Sequence, residues 1–126
     1  MRLFVILGSI NMAIAISMGA FGAHGLAGQV TEKMLTTWNT GAEYHLIHAL
    51  ALVVVGLLLG KASGASPLLA TGGWLLFAGI VLFSGSLYTL VLTNISNLGM
   101  ITPFGGVSFV IGWLIIALAA GKKAIG

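Results

Sequence analysis

Charge is scarce in this sequence. Of its 126 residues, five are Lys or Arg and two are acidic, whereas 59% of the chain is hydrophobic. A water-soluble domain usually carries about 25% charged residues. Because so few polar groups cannot cover a soluble fold, the composition predicts a single domain, residues 1–126, whose solvent is the lipid bilayer.

Cysteine is absent, which excludes disulfides, thiolate metal sites and cysteine nucleophiles. The formal charge of +3 comes from scattered residues and forms no basic patch, so we expect no nucleic-acid partner. No glycine-rich phosphate loop, nucleophile elbow or carboxylate pair is present. We therefore expect a protein that is not an enzyme, and the sequence identifies no cofactor.

Long apolar runs define the fold class. Four of them reach the roughly 20 residues that a membrane span needs: residues 3–23, 42–60, 68–92 and 103–121. The runs are continuous rather than alternating, which favours helices over barrel strands. The first run is longer than the apolar core of a signal peptide, so we expect it to be a span. The sequence predicts an all-α, integral membrane four-helix bundle.

The segments between the spans differ in character. Thr31 followed by Glu32 suits a helix start, and Met34 and Trp38 share one helix face. Residues 31–40 are therefore predicted to form a short interfacial helix in the first outer loop, either separate or continuous with the second span. Residues 61–67 (KASGASP) predict a turn. Thr102 and Pro103 suit an N-cap followed by proline at the first helical position.

The distribution of Lys and Arg predicts the orientation. One side of the membrane holds Arg2, Lys61, Lys122 and Lys123, and the other holds only Lys33. Because positive loops stay inside, we expect both termini in the cytoplasm. The ends of spans one and three and the starts of spans two and four then meet on the outer side.

This convergence collects most of the chemically capable side chains. The candidate polar cluster consists of His24, Glu43, Tyr44, His48 and Tyr88, with Asn11, His45, Asn94 and Thr102 as secondary candidates. Gly41, Tyr44, His45 and His48 lie within one 100° arc of a helix, whereas Glu43 lies about 140° from His48.

Three interpretations of this cluster are open. The favoured one is a latch in which polar side chains bond across helices and stabilise the bundle. The second is a metal or haem site, in which His45 and His48 are joined by His24 or a carboxylate. The third is a proton, ion or solute path through His24, Glu43 and His48.

Small residues recur every four positions in two stripes of the first span and one of the fourth: Ala15, Gly19 and Ala23; Ser9, Ala13 and Ser17; and Ser108 and Gly112. Such spacing lets helices approach closely in lipid. Since these faces exceed what one small bundle needs, we expect a homo-oligomer or an accessory subunit of a larger membrane complex.

Four motifs resemble those of the YgdD-type family of uncharacterised membrane proteins, whose eukaryotic relatives are called transmembrane protein 256. They are AFGAHG at residues 20–25, TGAEY at residues 40–44 with His48, LFSGSLY at residues 82–88, and Thr102-Pro103 before Gly105-Gly106. The resemblance implies a four-span protein of the bacterial cytoplasmic membrane and no activity. Its pattern includes His24, Tyr44 and His48 and leaves the position of His45 open. The resemblance therefore implies that the ligands of any metal would be His24 and His48.

Overall fold

The computed structural model describes residues 2–61 and 67–122, and these residues are almost entirely helical. The α-helices are α1 (Arg2–Phe21), α2 (Glu32–Lys61), α3 (Pro67–Gly79), α4 (Gly85–Thr93) and α5 (Thr102–Gly121). A π-helical turn, Gly22–Leu26, extends α1, and a second one, Ile80–Ser84, joins α3 to α4. A short 3-10 turn, Ser96–Met100, precedes α5.

These elements make four apolar helical segments of 25, 30, 27 and 26 residues, each long enough to cross a membrane. The predicted all-α four-span fold is confirmed. Helix ends do not mark membrane boundaries, so the predicted span limits and the cytoplasmic placement of the termini stay predictions. Of the predicted turn at residues 61–67, residues 62–66 lie outside the described residues, as does Lys123.

The segment predicted as an interfacial helix is continuous with the second span, which is one of the two arrangements that the sequence left open. Its cap is present, since the N–H of Met34 donates to the hydroxyl of Thr31 at 3.1 Å, but the helix continues without a break to Lys61. Trp38 is 1% exposed and packs against Tyr88, with ring centroids 4.7 Å apart. The apolar face of this segment, including Trp38, therefore packs on protein. Whether the segment lies at the membrane interface stays a prediction.

The bundle consists of two helical hairpins. In the first hairpin α1 packs along α2, and in the second hairpin the α3–α4 segment packs along α5. The hairpins meet where α2 contacts α3 and α4, so α2 and α3–α4 are central and α1 and α5 flank them. We call the end where α1 passes to α2 and α4 passes to α5 the loop end.

Glycines set the spacing inside each hairpin. A Cβ on Gly8 would lie 2.7 Å from the backbone nitrogen of Val53 and 2.8 Å from the carbonyl oxygen of Ala49. A Cβ on Gly105 would collide with the backbone of Phe83. Close backbone approach of this kind is how helices gain van der Waals contact in lipid, where apolar burial provides little drive.

Candidate functional site

The side chains of α2 divide the predicted polar cluster into two sites at the loop end. His45 and His48 are both buried, at 3% and 4% exposure. His45 faces α1 and α4, whereas His48 faces α5. The two imidazoles therefore belong to different sites, although they lie one helical turn apart.

His45 joins three helices. Its Nδ1 lies 2.9 Å from the hydroxyl of Tyr88 on α4, and its Nε2 lies 2.9 Å from Oδ1 of Asn11 on α1. The amide nitrogen of Asn11 in turn donates to the carbonyl oxygen of Leu7 at 2.9 Å. We call Tyr88, His45 and Asn11 the His45 network.

The bonding pattern assigns the protons of this network. Asn11 donates to a carbonyl through its nitrogen, so its Oδ1 accepts from Nε2–H of His45. Nδ1 of the neutral imidazole then accepts from the hydroxyl of Tyr88. An imidazolium here would have no carboxylate partner, because Glu32 and Glu43 are both exposed. The network is thus a directed chain of uncharged groups that ends at a backbone carbonyl.

Neighbouring bonds brace the same helices. Nε1 of Trp38 donates to the carbonyl oxygen of Met18 at 2.7 Å, which ties α2 to α1. The hydroxyl of Ser84, fully buried, donates to the carbonyl oxygen of Gly41 at 2.8 Å, which ties the second π-turn to α2. The partner carbonyls lie where Trp and Ser can reach them, so the polar groups are satisfied without water.

His48 is held from the opposite side of α2. Nε1–H of Trp113 on α5 donates to Nε2 of His48 at 3.1 Å. Indole nitrogen only donates, so Nε2 accepts, and Nδ1–H donates to the carbonyl oxygen of Tyr44 at 2.7 Å. The imidazole also stacks on the ring of Phe109, with centroids 3.6 Å apart. His48 is therefore neutral, with both nitrogens engaged.

A cavity of about 760 Å³ opens beside His48, between α2 and α5. We call it the His48 groove. Its walls are almost wholly apolar and include Tyr44, His48, Phe83, Val107, Phe109 and Trp113. Tyr44 and Val107 are 42% and 55% exposed, so the groove opens on the outer surface of the bundle.

The remaining predicted residues lie apart from these sites or have other roles. His24 is exposed on the first π-turn and contacts neither His45 nor His48. Glu43 is exposed on α2. Asn94 ends α4 in the left-handed conformation, φ 57°, with its N–H bonded to Leu90. The sequence grouped His24 with His48, Tyr44 and Tyr88, but in the structure it contacts none of them.

Thr102 differs from its predicted role. The helix begins at Thr102 itself, and no side chain caps it, although Pro103 lies in the first turn as expected. The hydroxyl of Thr102 instead lies 2.6 Å from that of Ser86 on α4. The Thr102 hydroxyl that would have capped the helix is thus engaged in a hydrogen bond between α4 and α5.

Sequence reasoning placed His45 and Asn11 among the secondary candidates, yet they form the centre of the polar network. A signal for Asn11 was available, since a lone amide in the middle of an apolar span must find a partner. Helical geometry placed His45 and His48 on one 100° arc of α2. It did not show that the two side chains of this arc face different helices.

No three His, Cys, Asp or Glu side chains within residues 2–61 and 67–122 lie close enough to share a metal ion. The histidine pair at i, i+3 faces different helices, and His24 makes no contact with either. The residues on which the metal interpretation rested do not converge.

Comparison with known proteins agrees with this membrane fold. The sequence model of DUF423, described as a protein of unknown function, matches residues 18–106. The chain belongs to the DUF423 family. The match includes every residue of the predicted cluster except Asn11.

Bacterial relatives of this DUF423 protein are similar over nearly their whole length. The UPF0382 membrane protein YwdK of Bacillus subtilis is 57% identical, covering 97% of this chain and 98% of the relative. The UPF0382 membrane protein SAB0533 of Staphylococcus aureus is 48% identical, covering 98% and 99%. No solved structure matches the chain significantly. The predicted membership of a membrane protein family without an established function is confirmed, while the YgdD-type and transmembrane protein 256 names stay predictions.

Proposed function

We propose that this DUF423 protein is a noncatalytic structural or accessory component of the bacterial cytoplasmic membrane, with both termini in the cytoplasm. The observation that supports this most is the complete internal use of its buried polar groups. His45 and His48 each engage both ring nitrogens within the protein. Across the described residues no buried side-chain nitrogen or oxygen lacks a partner.

Such an arrangement favours a latch over catalysis or transport. A reacting or conducting histidine needs a nitrogen that can exchange a proton with substrate or water. Here the His45 network ends at the carbonyl of Leu7, and Nε2 of His48 is occupied by Trp113. We therefore infer that these polar residues hold the helices in their relative positions.

A flux assay tests the noncatalytic role against a channel or transporter. Purified protein is reconstituted into liposomes under proton, potassium and sodium gradients, with protein-free liposomes as the baseline. We expect wild type and baseline to agree. Flux above the baseline that falls in His48→Ala or Glu43→Gln would overturn the proposal. Stoichiometric metal or visible absorbance that is lost in a His24→Ala/His48→Ala variant would overturn it in favour of a binding subunit.

The proposed orientation is testable because the chain has no native cysteine. Lys33→Cys and Lys61→Cys place single thiols at exposed positions at opposite ends of α2. A membrane-impermeant maleimide should label Lys33→Cys on intact cells and Lys61→Cys only after lysis. The reverse pattern would contradict the orientation.

Self-association is the remaining part of the proposal. Ser9, Ala13 and Ser17 form an exposed stripe on α1, which supports a second copy or a partner helix there. Mass measurement in native lipid particles should show a species larger than one chain, reduced by Ala13→Leu but not by the exposed control Ile16→Leu. A monomer in native lipid and in several mild detergents would contradict it.

A further inference from the structure

The His48 groove has a shape that latching alone does not require. α2 and α5 meet through the His48–Trp113 bond and the stacked ring of Phe109, and beside these contacts about 760 Å³ is left open. Sites for small ligands commonly have volumes of roughly 300–1,000 Å³ and apolar walls with few polar groups. The groove has both properties.

Its walls match a hydrocarbon chain. Ile47, Val107 and Val110 supply aliphatic surface, and Phe83 and Phe109 supply ring surface. The imidazole of His48 has no nitrogen left for a ligand. One polar group remains at the groove, the hydroxyl of Tyr44, which has no hydrogen-bond partner in the described chain.

Depth places the groove where a lipid tail lies. From Tyr44 to Lys61, α2 rises about 26 Å, close to the roughly 30 Å thickness of the hydrocarbon core. Taking the charged Lys61 as one polar boundary puts Tyr44 near the other. The lining residues of α5 run from Pro103 to Trp113, about 15 Å from the loop end toward the membrane centre. A chain in the groove would have its head at the loop end.

Charge at the loop end selects the headgroup. Glu43 directly precedes Tyr44 and lies one turn from Ile47, is exposed, and has no ion pair within the described residues. A carboxylate at headgroup level attracts an ammonium group and repels a headgroup of net negative charge. We propose that the His48 groove holds one acyl chain of a phospholipid whose headgroup carries an ammonium group, placed beside Glu43 and the hydroxyl of Tyr44.

Gly106 allows the groove to be closed without disturbing the fold. It lines the groove, and a Cβ added there would meet nothing nearer than Cδ2 of Phe83, at 3.9 Å. Gly106→Leu therefore fills the space that the acyl chain would occupy. Gly19→Leu is the matched control, since a Cβ on Gly19 of α1 meets nothing within 4 Å and lies on a helix that does not line the groove.

The test is lipid retention measured by native mass spectrometry. Delipidated protein is reconstituted in vesicles of equal phosphatidylethanolamine and phosphatidylglycerol with identical acyl chains, then released into mild detergent. We expect one retained phosphatidylethanolamine per chain in wild type and in Gly19→Leu, and none in Gly106→Leu. Glu43→Gln should retain a lipid but reduce the preference for phosphatidylethanolamine roughly two- to fivefold, as expected for an exposed ion pair.

Other results would overturn the proposal. These are equal retention by Gly106→Leu and wild type, no preference between the two lipids in wild type, or retention of detergent alone. A second arm adds an isoprenoid quinone to the vesicles, and displacement of the phospholipid by the quinone would assign the groove to an isoprenoid instead. Circular dichroism confirms folding of each variant, and Val107→Trp replaces Gly106→Leu if the latter does not fold.

Discussion

Helix contacts inside each hairpin differ in chemistry from the contacts that join the two hairpins. Within the hairpins, Gly8 and Gly105 bring one backbone against another so closely that an added Cβ would meet backbone atoms. Between them, the nearest glycine approaches are to aromatic rings: a Cβ on Gly41 would lie 3.2 Å from the ring of Tyr88, and one on Gly73 would lie 2.9 Å from the ring of Phe4.

Directed hydrogen bonds make up for the looser packing between the hairpins. Tyr88 to His45, Ser84 to the carbonyl of Gly41, and Trp113 to His48 all cross from the second hairpin to the first. In lipid, helices associate mainly through close packing and interhelical hydrogen bonds. Each such hydrogen bond stabilises the bundle by only about 0.6 kcal/mol on average. We therefore expect packing changes within a hairpin to cost more than the loss of any single bond between hairpins.

The largest effect is expected at the tightest contact within a hairpin. Gly105→Ala would place a methyl group against the backbone of Phe83, which has no flexible side-chain end to move aside. Overpacking of this kind costs about 3 kcal/mol of unfolding free energy. Unfolding by SDS in mixed micelles, followed by circular dichroism, measures it.

Gly106→Ala is the control for this prediction, because its Cβ meets nothing nearer than 3.9 Å. The contrast between neighbouring glycines isolates the contact from any change in helix propensity. Equal stability of the two variants would show that backbone contact within the hairpin does not dominate the stability of the bundle.

The second effect is expected where one side chain joins three helices. His45→Ala removes the bonds to Tyr88 and Asn11 and leaves a cavity, so we expect a loss of about 2 kcal/mol in the same assay. The exposed His24→Ala serves as control and should leave stability unchanged. A larger loss for His24→Ala than for His45→Ala would refute the assignment of the network.

A smaller effect is expected at Trp113. Trp113→Phe keeps an aromatic ring but removes the donor to His48, which should cost about 0.6 kcal/mol. Trp74→Phe is the matched change, since Trp74 packs on Phe4 and its N–H has no partner in the described chain. If Trp74→Phe proves equally costly, ring volume rather than the bond between hairpins holds α5.

The smallest effect is expected at Gly19, where a Cβ meets nothing within 4 Å. Gly19→Ala should change stability by no more than about 1 kcal/mol and in the stabilising direction, because alanine is the better helix former. Measured beside Gly105→Ala, it separates helix propensity from close contact. A strong destabilisation would point to a contact at this face with another copy or another protein.

Much of the fold was predictable from local pattern. Length and apolar composition alone predicted four helical spans, and the capping signal at Thr31 predicted the start of α2. The role of Thr102 was not predictable, because its hydroxyl could either cap α5 or bond to a neighbouring helix. Only the packing of α4 against α5 places the hydroxyl of Ser86 within 2.6 Å.

The candidate site was predictable in its location more than in its membership. Topology alone placed His48, Tyr44 and Tyr88 at one end of the bundle. His45 was ranked lower because the resemblance leaves its position open, and His24 was ranked higher because its motif matches. In the structure His24 lies on the π-turn Gly22–Leu26 and its side chain is exposed. No residue pattern distinguishes such a turn from a regular helix.

The sequence by itself determined the solvent, the fold class and the family of this protein, since apolar length and motif order are local properties of the chain. The tertiary structure alone decided which polar groups meet: His45 with Tyr88 and Asn11, and His48 with Trp113. It also decided that a groove remains open between α2 and α5. The reason is geometric, because partners on different helices are chosen by the rotation and spacing of those helices, which glycine contacts set across the whole bundle.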